Sequence, residues 1–358
     1  MSAEPSSQLG TDAVPMFLCD AWYMVGLART LKRGGLRREI LLGEPVLISR
    51  MRDGQAFALR DICPHRGVPL SAGHVMPENT VECPYHGWRF RADGVCSLIP
   101  SLIDGQEIDP TKIRVRSYPV REQDGLIWIY MAAAGHENVP PKTEPPRVGV
   151  KNAKPRWVES QTFRCNIDHA VIGLMDPAHA PYVHGRWWWK KMPRVKEKHY
   201  APLANGFVMT RHKPSKTAYS ILGGSNVSTE ITFELPSIRF ENIRGTILGK
   251  TIDVVGLTTC TPIDGDSTQV TQVFFWPAWL GFLKPFFVAL GPVFLSDDRK
   301  MAELQREGLK FSPALMLIQD SDVPAMWYHR LKKAWAESVA TGAPFVNPVK
   351  ERTLRWRS

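Results

Sequence analysis

The runs Cys63-Pro64-His65-Arg66-Gly67 and Cys83-Pro84-Tyr85-His86-Gly87-Trp88 decide how this chain is read. They spell C-x-H, then seventeen residues, then C-x-x-H. Each run offers one thiolate and one imidazole, so the four donors reach a common centre only if the two loops face each other. A zinc finger groups its cysteines in one pair and its histidines in another, whereas here Cys and His alternate within each loop. The C-x-x-C-H run of c-type haem attachment is absent. The prolines stiffen both loops, and Gly67 and Gly87 let backbone N–H groups approach whatever the loops hold.

Two thiolates and two imidazoles divided in this way are the ligand set of a Rieske [2Fe–2S] centre, in which two His replace two Cys on one iron. His ligation raises the reduction potential to roughly −150 to +300 mV, against about −400 mV for all-Cys plant ferredoxins. Cys63, His65, Cys83 and His86 are therefore expected to hold a cluster that takes electrons from a donor of lower potential.

At 358 residues the chain is long enough for two domains, and 44% hydrophobic residues can fill both cores. Six Cys are present. Beyond the two in the loops, Cys19, Cys96, Cys165 and Cys260 follow no framework and read as reduced thiols of a cytoplasmic protein. Residues 1–15 are polar and read as a disordered tail, with no basic-then-apolar leader. The net charge of +10 invites a nucleic-acid reading, but no such module is visible. The densest basic run, Arg186 to Lys198, reads either as a solvated loop or as a docking face for an acidic redox partner. Val273 to Leu295 is apolar enough to suggest a membrane, but Pro277, Pro285, Pro292 and Lys284 argue against a spanning helix. A buried, broken stretch lining a pocket or a subunit contact is expected there, with shallow attachment to a membrane surface as the alternative.

From about Glu39 to Ala132 short strands alternate with turns. Ile40-Leu41-Leu42, Val46-Leu47-Ile48, Phe57-Ala58-Leu59 and Leu126–Tyr130 are strand-like, and Asp53-Gly54 and Asp93-Gly94 are turn signals. Residues 16–150 are thus expected to form an all-β domain carrying both loops, with Gly135 to Pro155 as the linker out of it. Residues 151–358 differ. Alternation over Ser228–Leu235, Ile238–Ile243, Ile252–Thr259 and Gln269–Phe275 predicts an antiparallel sheet. Helical patterns flank it at Asn166–Met175, Ser296–Lys310 and Pro324–Ala340, giving an α+β domain.

A second metal motif lies in that domain. Asp176-Pro177-Ala178-His179-Ala180-Pro181-Tyr182-Val183-His184 reads D-x-x-H-x4-H. On one helix, positions 176 and 179 share a face but 184 points elsewhere, so a break is required, and Pro181 is placed to supply it. Two imidazoles and a carboxylate form the facial triad that leaves open positions for O2 at Fe(II). Two His five apart are weak evidence alone and gain weight beside the cluster motif.

With both motifs in this order, the chain resembles the large catalytic subunits of the Rieske non-haem iron oxygenases, from about Ala21 to Leu331. The resemblance implies a β-rich Rieske domain, a helix-grip (START-like) catalytic domain with an apolar cavity, and a homotrimer in which one subunit's cluster feeds its neighbour's iron. It implies His179 and His184 as iron ligands. It makes Asp176 the carboxylate that bridges, across the subunit interface, from an iron-ligating His to a His of the cluster. The third ligand is a carboxylate near an acidic pair opening a helix. Within Ser296–Gln305 this selects Asp298, with Asp297, Glu303 and Asp320 as alternatives. A competing reading makes Ser296 a helix cap and both Asp mere complements to the dipole. Gly173 stands where many members have Asn, Asn166 lies ten residues before Asp176, and His169 beside Asp168 reads as structural.

No G-x-G-x-x-G fingerprint and no plant-ferredoxin Cys set occur, so flavin and NAD(P)H are expected on a partner reductase, with or without a ferredoxin. The expected activity is monooxygenation (hydroxylation or O-demethylation) of an aromatic or polycyclic substrate, in the branch of the vanillate and dicamba demethylases. Cavity walls are expected from Phe274 to Phe294 and the central sheet. Ring dihydroxylation is one alternative, and a Rieske electron carrier without oxygenase activity is the alternative from another class.

Overall fold

The computed structural model describes residues 14–150, 153–185, 194–214 and 224–358. They form two compact units, Cys19–Pro155 and Arg156–Ser358, and the segment up to Leu18 belongs with the second.

In the first unit the strands in chain order are β1 (Ala21–Leu27), β2 (Leu36–Leu41), β3 (Glu44–Arg50), β4 (Ala56–Arg60), β5 (His74–Val75), β6 (Val81–Glu82), β7 (Arg89–Phe90), β8 (Cys96–Leu98), β9 (Ser117–Tyr118), β10 (Val120–Gln123) and β11 (Leu126–Met131). They make three antiparallel sheets, ordered β1-β11-β10, β2-β3-β4-β9 and β5-β6-β7-β8. All six residues of β11 are buried, which is why that segment reads as a continuous apolar run rather than an alternating one. Leu42 does not extend β2: it and Gly43 both take positive φ (55° and 80°), the two-residue turn whose twist suits a hairpin. The expected linker is tied down. Gln123 donates to the carbonyls of Pro145 and Pro146, Trp22 Nε1 donates to Thr143 O, and Val148 N–H donates to Asp124.

The second unit holds one eight-stranded antiparallel sheet. Its strands are β12 (Pro155–Phe163), β13 (Val195–Leu203), β14 (Gly206–His212), β15 (Ser225–Glu234), β16 (Ile238–Ile247), β17 (Lys250–Pro262), β18 (Thr268–Phe275) and β19 (Arg352–Arg357), ordered β12-β18-β17-β16-β15-β14-β13-β19. The helices are α1 (Ile167–Met175), α2 (Ala180–Val183), α3 (Lys284–Leu309) and α4 (Val323–Thr341). The four alternating segments became β15 to β18. The charged strand β13 and the Arg-rich edge strand β19 were less legible, since only Tyr200 of β13 and Leu354 and Trp356 of β19 are buried.

Helix α1 packs on β17 and β18 and against both long helices. Asn166 caps it, accepting from Asp168 N–H at 2.8 Å. Asp168 in turn accepts from Lys332 Nζ of α4 at 2.7 and 2.8 Å and from Tyr328 Oη at 2.7 Å. Lys332 is buried and also donates to Met16 O, which draws the N-terminal segment onto this unit. His169 therefore sits beside a structural network and takes no ligand position.

The expected break in Val273–Leu295 is present: β18 ends at Phe275, Pro277 precedes a short 3-10 turn (Ala278–Leu283) and α3 starts at Lys284. The later prolines do not add to it, since Pro285 lies in the first turn of α3, where no N–H donor is needed, and α3 runs through Pro292. The expected burial fails within the chain, with about 22% of the most apolar part buried. Ser296 lies mid-helix, so it caps nothing; its hydroxyl instead bonds Gln161 of β12.

Candidate functional site

Both cysteine loops fold by the same local rule. Cys63 N–H donates to Val68 O and Gly67 N–H donates back to Cys63 O; Cys83 N–H donates to Trp88 O and Gly87 N–H donates back to Cys83 O. Closing each loop requires positive φ at the glycine, +74° at Gly67 and +69° at Gly87, which a side chain would resist. Cys63 and Cys83 are buried within the core of the unit, beside Leu70, Val81 and Phe90. Burial pushes the Cys63 thiol up to about 11, and the Cys83 sulfur beside it adds to the effect, while N–H groups of His65 and Arg66 oppose it. Two adjacent buried sulfurs surrounded by backbone N–H donors are a poor place for free thiolates and a good one for thiolates bound to metal. His65 is exposed and His86 half-buried, with their rings 4.5 Å apart and Trp88 stacked on His65 at 4.8 Å. Sulfurs inside and imidazoles outside form the donor set that a [2Fe–2S] cluster with an accessible His edge requires.

The second constellation is assembled by three elements. Helix α1 ends at Asp176, whose extended backbone (φ −65°, ψ 118°) turns the chain. The single turn α2 follows, with His179 as its N-cap residue and His184 as its C-cap residue. The break that separates the two His from α1 is at Asp176, and Pro181 lies inside the turn, near its start, where it is tolerated. Helix α3 packs against α2 and brings Asp298. Nε2 of His184 is 3.2 Å and Nε2 of His179 is 3.7 Å from Asp298 Oδ1, and one donor atom from each residue lies within 4.8 Å of the others.

Both ring nitrogens of His184 are buried with no hydrogen bond, a costly arrangement without a partner such as a metal. The other constellation members are also sheltered, and Phe294 stacks on the His184 ring at 3.6 Å. His179 Nδ1 is 2.8 Å from the backbone O of Asp176; as donor in that bond, Nδ1 leaves Nε2 as the free ligand. Separations of 3.2 to 3.7 Å suit donors about 2.1 Å from one ion. Two imidazoles and one carboxylate fit Fe(II) as well as zinc.

The remaining expected residues fall elsewhere. Asp297 Oδ2 lies 3.7 Å from His184 Nδ1, behind the imidazole rather than at its donor face. Asp320 pairs with Arg352 at 3.1 Å. Gly173 is exposed, with open space where a Cβ would stand. Asn166 is committed to its cap. Asp176 Oδ1 accepts from Ala178 N–H at 2.7 Å, and Oδ2 lies 3.8 Å from His179 Nδ1. Burial raises the Asp176 carboxyl above its ordinary range, with the Ala178 N–H bond and His179 opposing. Of the stretch expected to wall a cavity, Phe294 reaches the His/Asp cluster. A cavity of about 410 Å³ lies elsewhere, lined by Trp327, Arg330, Pro348, Lys350, Glu351 and Arg352. Within the basic run, residues 186–193 are outside the described residues; Lys196 and Lys198 lie in β13, with both amines lowered by burial.

Known proteins resemble this chain in its first unit and in its fold. Residues 21–119 match the family described as the Rieske [2Fe-2S] domain. The chain is 37% identical over 171 residues to the dicamba O-demethylase oxygenase component of Stenotrophomonas maltophilia, covering 47% of this chain and 48% of that protein. It is 34% identical over 146 residues to cholesterol 7-desaturase nvd of Bombyx mori, covering 41% and 31%. The matched region thus spans half or less of these relatives. The crystal structure of dicamba monooxygenase bound to dicamba superposes with a TM-score of 0.72 at 23% identity, covering 91% of this chain and 99% of that one. NdmA of Pseudomonas putida CBB5 superposes with a TM-score of 0.68 at 20% identity, covering 90% and 92%. Residues 21–119 are thus a Rieske [2Fe-2S] domain, and over about nine-tenths of its length the chain shares the fold of dicamba monooxygenase.

Proposed function

We propose that this chain is the terminal oxygenase component of a multicomponent system. It would use O2 and electrons from NAD(P)H, delivered by a separate reductase with or without a ferredoxin, to monooxygenate an aromatic or polycyclic substrate by hydroxylation or O-demethylation. The observation that carries the reading is the meeting of His179, His184 and Asp298 at one point on a chain that also has a Rieske domain. A pure electron carrier needs no such meeting. The names of similar proteins, an O-demethylase oxygenase component and a toluene-4-sulfonate monooxygenase subunit, favour monooxygenation.

In this reading Cys63, His65, Cys83 and His86 hold the [2Fe–2S] cluster, and His179, His184 and Asp298 hold a mononuclear iron. The cluster supplies single electrons, and the iron supplies an open coordination site for O2 beside the substrate. His65 and His86 carry the cluster's edge to the surface, where a donor reaches it. Asp176 fixes His179 through its backbone carbonyl and leaves its carboxylate for a cluster His of a neighbouring subunit in a homotrimer. Phe294 covers one face of His184 and keeps water from it.

The +10 charge favours an acidic ferredoxin or reductase as donor, and the free cysteines favour a cytoplasmic setting. The test is iron content together with turnover. Two cluster irons plus one mononuclear iron per chain, NADH-dependent O2 uptake, and formaldehyde release from a methoxyarene support O-demethylation. Two irons per chain with no O2 uptake would return the chain to the electron carriers. A cis-diol product would identify a ring dihydroxylase.

A further inference from the structure

The 3-10 turn Ala278–Leu283 and the first turns of α3 that follow it are apolar on both faces. Leu280, Leu283 and Phe287 point into a cluster with Trp157, Ile243, Ile252, Val254 and Trp276. On the other side Trp279, Phe282 and Val288 are 46%, 63% and 55% exposed. A surface helix of a water-soluble protein normally turns polar residues outward, and one that is apolar all round is buried or meets lipid. The same cluster receives Ile247 of the β16–β17 hairpin, and the next residue, Leu248 at the hairpin tip, is 89% exposed. Two elements distant in sequence therefore raise four large apolar side chains around one buried cluster.

Charge separates the occupants of such a patch. Residues 278–295 contain Lys284 and no acidic residue, and the hairpin tip contributes Lys250. Lys284 and Lys250 are both exposed. Protein–protein interface cores are depleted in lysine, whereas Lys beside exposed Trp, Phe and Leu suits an anionic headgroup layer over acyl chains. The +10 net charge adds long-range attraction to such a surface.

We infer that the patch formed by Trp279, Phe282, Val288 and Leu248, with Lys284 and Lys250, seats the protein on the surface of an anionic lipid bilayer. The apolar side chains enter the headgroup–acyl boundary and the lysines pair with lipid phosphates, without a helix crossing the bilayer. Val288 and Asp298 are ten residues apart on α3, about 15 Å along the helix axis, so bilayer contact and the His/Asp cluster share one rigid element. The surface itself does not depend on the oxygenase reading.

The test is co-sedimentation of the full, cluster-loaded protein with phosphatidylcholine vesicles, with and without phosphatidylglycerol, beside sedimentation velocity without lipid. The wild type is expected to pellet with the anionic vesicles. Phe282→Asp and Leu248→Asp should each weaken partitioning by roughly tenfold. Lys284→Glu should weaken it on anionic vesicles alone. Both apolar positions are exposed, so visible absorption and the thermal midpoint should be unchanged. A wild type that stays in the supernatant, or aspartate variants that pellet like it, overturns the inference. A change in oligomeric state with vesicle binding intact also overturns it and assigns the patch to a second copy of the chain.

Discussion

His179 Nδ1 lies 2.8 Å from the backbone carbonyl of Asp176, nearer than the 3.8 Å that separates it from that residue's carboxylate. The main chain fixes the imidazole; of the carboxylate, Oδ1 accepts from Ala178 N–H and Oδ2 is left for another task. Asp176→Asn should therefore keep three irons per chain and an intact cluster spectrum, because the carbonyl remains. Product formation should fall by roughly tenfold or more if the carboxylate couples the two centres of neighbouring subunits. Turnover at wild-type rates would show that the carboxylate couples nothing.

The His/Asp cluster gives a metal-content prediction. His184→Ala or Asp298→Ala should lower bound iron by one per chain and abolish turnover, with Rieske absorption unchanged. Asp297→Asn should retain all the iron, since Asp297 faces the far nitrogen of His184. Iron loss in Asp297→Asn equal to that in Asp298→Ala would reverse the assignment.

Loss of a cluster thiolate acts on the other unit. Cys83→Ser should remove the visible Rieske bands and all turnover while the mononuclear iron is kept, one iron per chain by direct assay. Retained cluster bands would rule out Cys83 as a ligand.

The pair of buried Lys332 and half-buried Asp168 that holds α1 to α4 should show in stability. Lys332→Met leaves Asp168 with Tyr328 and no cation, at a cost of about 3 kcal/mol. Denaturant unfolding followed by circular dichroism measures it, and a change under about 1 kcal/mol would mean that Asp168 finds water instead.

Acid should destabilise the second unit in a defined window. Burial lowers His169, His212 and His329 below their ordinary value of about 6.5, so each is more readily protonated unfolded than folded. The unfolded chain then binds more protons as pH drops below about 6.5, and stability falls from there through the folded values. Thermal midpoints between about pH 7 and pH 5 should decline, and His169→Gln with His329→Gln should flatten the slope. An unchanged slope would place the acid sensitivity in other groups.

The cluster loops were legible in the sequence because everything that shapes them is local. Each ligand pair lies within four residues, each loop closes on itself between positions i and i+5, and each glycine supplies its own left-handed turn. The alternation of β15 to β18 and the cap at Asn166 are local for the same reason. The third carboxylate was not local. Asp297, Asp298, Glu303 and Asp320 are chemically alike and lie more than a hundred residues beyond His184. Only the packing of α3 against α2 turns Asp298 toward both Nε2 atoms, with its neighbour behind His184 and Asp320 drawn to Arg352. Some prolines misled for a related reason: Pro181 and Pro285 fall in first turns, where the missing donor costs nothing, and α3 runs on through Pro292. Sequence determined which chemistry each segment could offer, and tertiary packing decided which atoms would meet and which apolar faces would remain in the open.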